Sequence, residues 1–286
     1  MRKYFGTDGV RGIANEELTP ELAYKLGRAG AYVLQHHSEH DGEKVRVVIG
    51  SDTRISKDIL TAALSSGFMS MGVDVIDAGV LPTPAIAYLT KHNKADIGAV
   101  ISASHNPMEY NGIKFFNSKG FKLADEIELE IESYIEDMSR IKEYPTHNQI
   151  GKKISTVDPE DAYVAFLKSC VEVNFSGMKI VLDTANGAAY KVAPRVFKEL
   201  GAEIVCMGCS PDGLNINHNC GSTHVEGLKK AVISEGADLG LAYDGDADRL
   251  IAIDEDGNIV DGDKIMLICA DHMKNEKKLK KDALVV

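Results

Sequence analysis

Short apolar runs bounded by polar loops alternate with segments whose apolar positions recur at helical spacing, which is the pattern of an α/β protein. A helix is expected at residues 18–35, with Thr19 as its N-cap and Pro20 at the first helical position. A short buried strand at 45–49 leads through Gly50-Ser51-Asp52-Thr53-Arg54 into a helix at 56–71. The pattern then predicts a strand at 73–76, a helix opened by Pro82-Thr83-Pro84 and running to 90, and a strand at 97–101. Residues 113–116 read as a hairpin strand with Asn111-Gly112 as its turn, followed by an acidic helix at 125–139. The polar, poorly periodic stretch 143–156 is expected to be a domain boundary, and 159–171 a connecting helix. A second unit opens with a strand at 179–182 and has Asn186-Gly187 at the strand end. Asp254-Glu255-Asp256-Gly257 reads as a hairpin turn, and 261–274 as a helix. The apolar run at 283–286 is expected to open a third domain, so that the domains span 1–155, 156–257 and an incomplete 258–286.

Two stretches of this pattern resemble each other. Ala95-Asp96-Ile97-Gly98-Ala99-Val100-Ile101 and Ala237-Asp238-Leu239-Gly240-Leu241-Ala242-Tyr243 both begin Ala-Asp-apolar-Gly and run apolar into a polar loop. Upstream, Met71-Gly72-Val73-Asp74-Val75-Ile76 parallels Leu200-Gly201-Ala202-Glu203-Ile204-Val205. Duplication of one α/β unit accounts for the pairs, with an insertion at 210–224 in the second copy; chance likeness of two ordinary βα units is the alternative. In open α/β sheets, ligands bind beyond the carboxyl ends of strands. Two such units facing each other would set the loops after these strands across one cleft.

Those loops carry the chemistry. The first reads Ser102-Ala103-Ser104-His105-Asn106-Pro107, and the second Asp244-Gly245-Asp246-Ala247-Asp248-Arg249. Alternate residues of an extended segment point to one side, so Asp244, Asp246 and Asp248 converge. Like charges at about 4 Å repel by about 4 kcal/mol per pair at an effective dielectric of 20. The cluster therefore requires a cation, a shifted pKa or full solvation. All-oxygen ligands favour Mg²⁺ or Ca²⁺, and Mg²⁺ is usual where phosphate completes the coordination. An exposed acidic turn is one alternative. An EF-hand is another, because Asp244, Asp246, Asp248 and Glu255 fall at loop positions 1, 3, 5 and 12, but Arg249 stands where that loop needs glycine and the flanks are strand-like. In the first loop, Ser104 could carry a phosphoryl group, whose transfer needs charge stabilisation and in-line positioning more than covalent help. Lys114, Arg11 and Arg249 are candidate sources of positive charge. The bland alternative is that Ser102 and Ser104 bond only the turn backbone. A metal-dependent phosphatase with an aspartate nucleophile is a further reading.

Composition narrows the classes. The 286 residues carry a formal charge of −11, which argues against a nucleic-acid surface. No apolar run approaches the length of a membrane span, and the N-terminus lacks a signal-peptide core, so a cytoplasmic protein is expected. Five cysteines do not suggest a disulfide scaffold. Cys206, Cys209 and Cys220 would form a zinc site only if His218 or His224 converged on them, and reduced thiols are favoured. His36, His37 and His40 read as a helix end and turn rather than a metal site.

Taken together, Ala103-Ser104-His105-Asn106-Pro107, the loop from Asp244 to Arg249, Phe5-Gly6-Thr7-Asp8-Gly9-Val10-Arg11-Gly12 and Asn111-Gly112-Ile113-Lys114 resemble the motifs of the α-D-phosphohexomutases. The resemblance is strongest to the branch acting on glucosamine phosphates and runs from about Lys3 to Val286. It implies repeated α/β domains with mixed sheets sandwiched by helices, cut short within a third domain of four. It also implies Mg²⁺-dependent interconversion of glucosamine 6-phosphate and glucosamine 1-phosphate through glucosamine 1,6-bisphosphate, with glucose or mannose phosphates as the rival substrates. By analogy Ser104 is the phosphoryl donor and acceptor, and the metal lies between Ser104 and Asp244, Asp246 and Asp248. Lys114 is the implied acid/base, His105 supports the loop, and Arg11 and Arg249 contact phosphoryl oxygens. The implied partner is a small phosphosugar, without nucleic acid or membrane, and with a homodimer as a candidate assembly. Ala247 stands where many relatives have glycine, a change expected to be harmless if its φ is negative.

Overall fold

The computed structural model describes residues 3–37, 44–156 and 158–279. His40 and the apolar run at 283–286 lie outside the described residues. Two short strands, β1 (Phe5–Gly6) and β2 (Gly9–Ile13), precede helix α1 (Pro20–His37). The Thr19 hydroxyl accepts from the Leu22 N–H at 3.2 Å and so caps α1. Then follow β3 (Arg46–Ser51), α2 (Lys57–Ser70), β4 (Asp74–Val80), α3 (Thr83–His92), β5 (Ile97–Ile101), β6 (Tyr110–Asn117) and α4 (Asp125–Glu136). After two short 3₁₀ turns come β7 (Lys153–Ile154), α5 (Pro159–Ser169), β8 (Lys179–Asp183), α6 (Val192–Glu199), β9 (Glu203–Met207), α7 (Glu226–Glu235), β10 (Leu239–Tyr243), β11 (Leu250–Asp254), β12 (Ile259–Val260) and α8 (Gly262–Asn275).

The strands form two sheets, ordered β1-β2-β6-β5-β3-β4-β7 and β12-β11-β10-β8-β9. Their centres are alike. Strands β4, β3 and β5 are parallel and β6 returns antiparallel; strands β9, β8 and β10 are parallel and β11 returns antiparallel. This shared order is the structural form of the repeat seen in the sequence. The second copy's longer connection, between β9 and α7, holds the insertion at 210–224.

Each sheet is covered on both faces, which explains why its central strands are almost wholly apolar. One face of the first sheet buries Leu26 of α1, Leu64 and Phe68 of α2 and Ile131 of α4. Phe68 meets Phe115 of β6 edge-on, with ring centroids 6.0 Å apart. The other face packs Ile86 and Leu89 of α3 with Tyr163 and Val164 of α5, and the same cluster takes in Val192 and Val196 of α6. Helices α5 and α6 thus share one apolar seam with the first sheet. Stacking of Tyr88 on Phe166, centroids 4.0 Å apart, adds to it. The second sheet packs Ala193 of α6 on one face and Leu228 and Val232 of α7 on the other.

One local expectation changes. Asn111-Gly112 is not a turn: both residues lie inside β6, opposite Gly12 and Arg11 of β2. A Cβ at Gly112 would stand 2.5 Å from the Ser102 carbonyl oxygen, so glycine is needed there for close backbone approach. The polar stretch 143–156 contributes β7, which pairs parallel with β4 at the edge of the first sheet. Strand β12 pairs with β11 after the turn at Asp254-Glu255-Asp256-Gly257. The strand pair on both sides of the carboxylate loop also removes the EF-hand geometry, which requires helices there.

Candidate active site

The serine loop is built by strand register. Strands β3 and β5 are parallel, with Ser51 beside Ile101. Asp52 and Ser102 therefore leave the sheet as neighbours, and the Ser102 hydroxyl donates to Asp52 Oδ2 at 2.6 Å. Ser102 Oγ in turn accepts the Ser104 N–H at 3.0 Å. Arg54 is fully buried. It donates from Nε to Asp52 Oδ2 at 2.9 Å and from its terminal nitrogens to the carbonyls of Ser104, at 3.0 Å, Asn106, at 2.8 Å, and Pro107. One guanidinium thus gathers three carbonyls of the loop. Ser104 has φ 53°, a left-handed conformation that costs a non-glycine residue about 1–3 kcal/mol. These contacts hold it there.

The carboxylate loop follows β10, and the two loops meet. Ser104 Oγ donates to Asp244 Oδ2 at 2.6 Å. Asn217, in the insertion of the second unit, donates to the carbonyls of Ser104 at 2.9 Å and Asn106 at 3.1 Å. In the opposite sense, Thr83 at the start of α3 donates its hydroxyl to Asp246 Oδ2 at 2.6 Å and its N–H to the Asp246 carbonyl at 2.9 Å. A Cβ on Gly245 would fall 2.6 Å from the Ser104 carbonyl oxygen, so glycine lets the two backbones touch.

Asp244, Asp246 and Asp248 each bring a carboxylate oxygen within 4.8 Å of the others. Burial pushes Asp244 up to about 7, reinforced by the charge of Asp246 and opposed by the Ser104 hydrogen bond. Burial and then Asp246 also raise Asp248, while Lys114 and Arg249 draw it back down. Asp246 is 1% exposed, and with Oδ2 held by Thr83 its Oδ1 has no hydrogen-bond partner among the described residues. A buried carboxylate oxygen left without a partner is costly. The three-carboxylate, all-oxygen donor set with one oxygen unpaired fits a hard divalent cation.

The remaining expected residues surround this point. Lys114, on β6, is 7% exposed, and its Nζ lies 2.7 Å from Asp8 Oδ1. Arg11 pairs with the other oxygen of the same carboxylate. Burial works to raise the Asp8 pKa, but Lys114 and then Arg11 outweigh it and hold that carboxyl below its usual range. Arg249 donates to His105 Nδ1 at 2.9 Å, which makes that nitrogen an acceptor and the imidazole neutral. Burial lowers the His105 pKa first, and the nearby Arg249 and Arg11 charges lower it further.

Sequence reasoning singled out Ser104, His105, Lys114, Arg11, Arg249 and the three aspartates, but missed Asp52, Arg54, Thr83 and Asn217. The first three follow buried parallel strands, β3 for Asp52 and Arg54 and β4 for Thr83, the position where α/β sheets place site residues; Asn217 carried no such signal. Ala247 departs from expectation, with φ 57° in the left-handed region. Among the described residues, the aspartates form the metal-capable group, and Cys206, Cys209 and Cys220 do not join one. Burial pushes Cys209 and Cys220 up to about 11, as suits unreactive thiols. His37 pairs with Glu130 at 2.8 Å, while His36 Nδ1 lies 2.6 Å from the Tyr32 carbonyl. No helix among the described residues is long and apolar enough to cross a membrane.

The comparison with known proteins follows the same two units. The family model for phosphoglucomutase/phosphomannomutase alpha/beta/alpha domain I matches residues 2–142, and that for domain II matches 161–257. The chain is 59% identical over 286 residues to the phosphoglucosamine mutase of Clostridioides difficile (strain 630) and 56% identical to that of Clostridium novyi (strain NT). In both cases it is matched along its whole length and spans 63% of the relative. A phosphoglucomutase/phosphomannomutase family protein from Burkholderia thailandensis superposes with a TM-score of 0.83 at 27% identity, over 96% of this chain and 59% of that one. The N-acetylphosphoglucosamine mutase of Aspergillus fumigatus, solved with GlcNAc-6P and magnesium, shares the fold at a TM-score of 0.53 and 17% identity, over 98% of this chain and 57% of that one. Two sheets with alike centres, each matched by its own domain model, account for most of the described residues, and the chain belongs to the phosphoglucomutase/phosphomannomutase family.

Proposed function

We propose that this chain carries the phosphoserine and metal-binding domains of a phosphoglucosamine mutase, with boundaries near 155 and 257. The observation that carries the reading is the contact of Ser104 Oγ with Asp244 Oδ2, which sets a nucleophile from one domain against a carboxylate cluster from the other. The identity to phosphoglucosamine mutases supports glucosamine phosphate as the substrate in preference to glucose or mannose phosphates.

In this reading Ser104 carries the phosphoryl group. A free hydroxyl of the bound sugar phosphate attacks phosphorus, the serine O–P bond breaks, and glucosamine 1,6-bisphosphate forms. After the intermediate turns round, Ser104 takes the other phosphoryl group, and the isomeric monophosphate leaves. Asp244, Asp246 and Asp248, with the phosphate on Ser104, would hold Mg²⁺, which when bound neutralises charge on the phosphoryl oxygens. The proton of the attacking hydroxyl passes to Lys114 as the free amine and from there to the Ser104 oxygen as it leaves, with Asp8 steadying the ammonium between the two transfers. Arg11 and Arg249 provide positive charge for phosphoryl oxygens, and the neutral His105 orients Arg249. Asp52, Arg54 and Asn217 fix the loop, so that little reorganisation is left to the reaction itself. A cytoplasmic location accompanies this reading.

Intact-mass and phosphopeptide analysis after incubation with glucosamine 1,6-bisphosphate and Mg²⁺ tests it. One phosphate on Ser104, dependent on metal, is the expected result. Phosphate on Asp244 or Asp246 that is lost to hydroxylamine would replace the mutase reading with an aspartyl phosphatase. If both this chain and a full-length relative remain unlabelled, the assignment fails.

A further inference from the structure

The metal loop belongs to the second sheet, yet one of its carboxylates is held from the first. We propose that Thr83 is a positioning residue for cation binding: its hydroxyl occupies Asp246 Oδ2 and so reserves Oδ1 for the metal. This inference rests on the reading of the aspartate cluster as a metal site and adds a residue to it.

Four observations converge on Thr83. It is the first residue of α3 and is 7% exposed, so its side chain has a fixed setting. Pro82 precedes it and Pro84 follows, and each proline ring fixes its own φ near −65°, which stiffens the entry to the helix. Its N–H and its hydroxyl both engage Asp246, at 2.9 Å to the carbonyl and 2.6 Å to Oδ2, so residue 246 is held at backbone and side chain together. Asp246 itself is 1% exposed, and its Oδ1 has no hydrogen-bond partner among the described residues.

A carboxylate has two oxygens and free rotation about its last bond. Binding one oxygen to a fixed hydroxyl removes that freedom and turns a two-sided ligand into a one-sided one. Carboxylates that bind metals are commonly held in this way, and loss of the supporting hydrogen bond typically costs 10–100-fold in metal affinity. Here the hydroxyl comes from the unit of the first sheet. Because Thr83 lies in the other domain, the metal site is complete only when the seam between α3, α5 and α6 is closed. Cation affinity then reports on domain docking.

The test is Mn²⁺ titration of the whole chain, read as free Mn²⁺ by electron paramagnetic resonance, so that no turnover is needed. Thr83→Val keeps the shape and the backbone N–H but loses the hydroxyl. It should weaken Mn²⁺ binding by about tenfold or more, whereas Thr83→Ser should restore affinity to within about threefold of the parent. Thermal melts in EDTA check that each variant is folded. If Thr83→Val does not fold, Thr83→Ala compared with Thr83→Ser makes the same comparison. Equal affinity of folded Thr83→Val and the parent chain overturns the role of Thr83 and leaves the metal site standing. A parent chain that binds no Mn²⁺ overturns both.

Discussion

Ser104 Oγ lies 2.6 Å from Asp244 Oδ2, although 140 residues separate the two in sequence and they belong to different sheets. Under the proposed function, the hydroxyl that would carry phosphate is already hydrogen-bonded to the cluster that would share it with a cation. Ser104→Ala should therefore abolish phosphate incorporation while leaving the chain folded, as phosphopeptide mapping and a thermal melt would show together. Ser102→Ala should behave differently. It removes the buried link between Asp52 and the Ser104 N–H, which lowers stability by about 1–3 kcal/mol but leaves Ser104 able to take phosphate. Loss of labelling in Ser102→Ala with full labelling in Ser104→Ala would reverse the assignment.

Asp244 gives the chain a pH dependence of definite sign. Its folded pKa is raised to about 7, above that of an unfolded carboxylate near 4. Between those values the folded state holds a proton that the unfolded state has released, so stability falls as pH rises from about 4 to about 7 and is level beyond. Mg²⁺ binds the ionised form and should reverse the loss. Melts of the metal-free chain should thus show the midpoint declining across this range, and the rise produced by Mg²⁺ should grow with pH. Asp244→Asn should flatten the decline relative to the parent. A variant with an unchanged slope would assign the effect to other buried acids, Asp52 and Asp183 among them.

Arg54 should be among the least tolerant positions outside the reacting groups. Its removal strands Asp52 in a fully buried site and releases the carbonyls of Ser104, Asn106 and Pro107. Breaking a buried pair from one side costs about 3–5 kcal/mol. Urea melts of Arg54→Met, of Asp52→Asn and of the double variant should show the double change costing clearly less than the sum. Strict additivity would mean that the two side chains act independently.

Much of this architecture was legible in the pattern of the chain. The strand at 97–101 has the bounds expected of it, and the repeated Ala-Asp-apolar-Gly openings mark the equivalent strands β5 and β10. Periodicity reports burial, and these strands are buried on both faces. What periodicity does not report is contact between distant segments. Asn111-Gly112 has the composition of a turn, but tertiary contact with β2 and with the Ser102 carbonyl makes it strand. Thr83 and Asn217 each stood in a stretch that read as punctuation, because their partners lie 163 residues away, in Asp246, and 113 residues away, in Ser104. Helices α6 and α7 went unassigned: α3, of the same length as α7, is marked by Pro82-Thr83-Pro84, whereas α6 and α7 open without a side-chain cap or a proline in the first two positions.

Ala247 is the residue at which the fold and local preference disagree. At φ 57° it sits where alanine is strained and glycine is not. Its methyl group packs against the second core beside Tyr243 and Leu250, and it also lines an apolar cavity of about 390 Å³ with Tyr163, Phe175 and Phe197. The strain relieved by Ala247→Gly, about 1 kcal/mol, therefore competes with at most about 0.8 kcal/mol for the half-buried methyl group. Stability should change by less than about 1 kcal/mol either way. Glycine is the residue that this φ favours, so the loop should keep its conformation and the carboxylates their spacing. Mn²⁺ affinity should therefore change little while the melting temperature barely moves, as titration and melting curves measured on the same preparation would show together. A clear loss of affinity with an unchanged melting temperature would show instead that the alanine methyl group sets the spacing of the carboxylates.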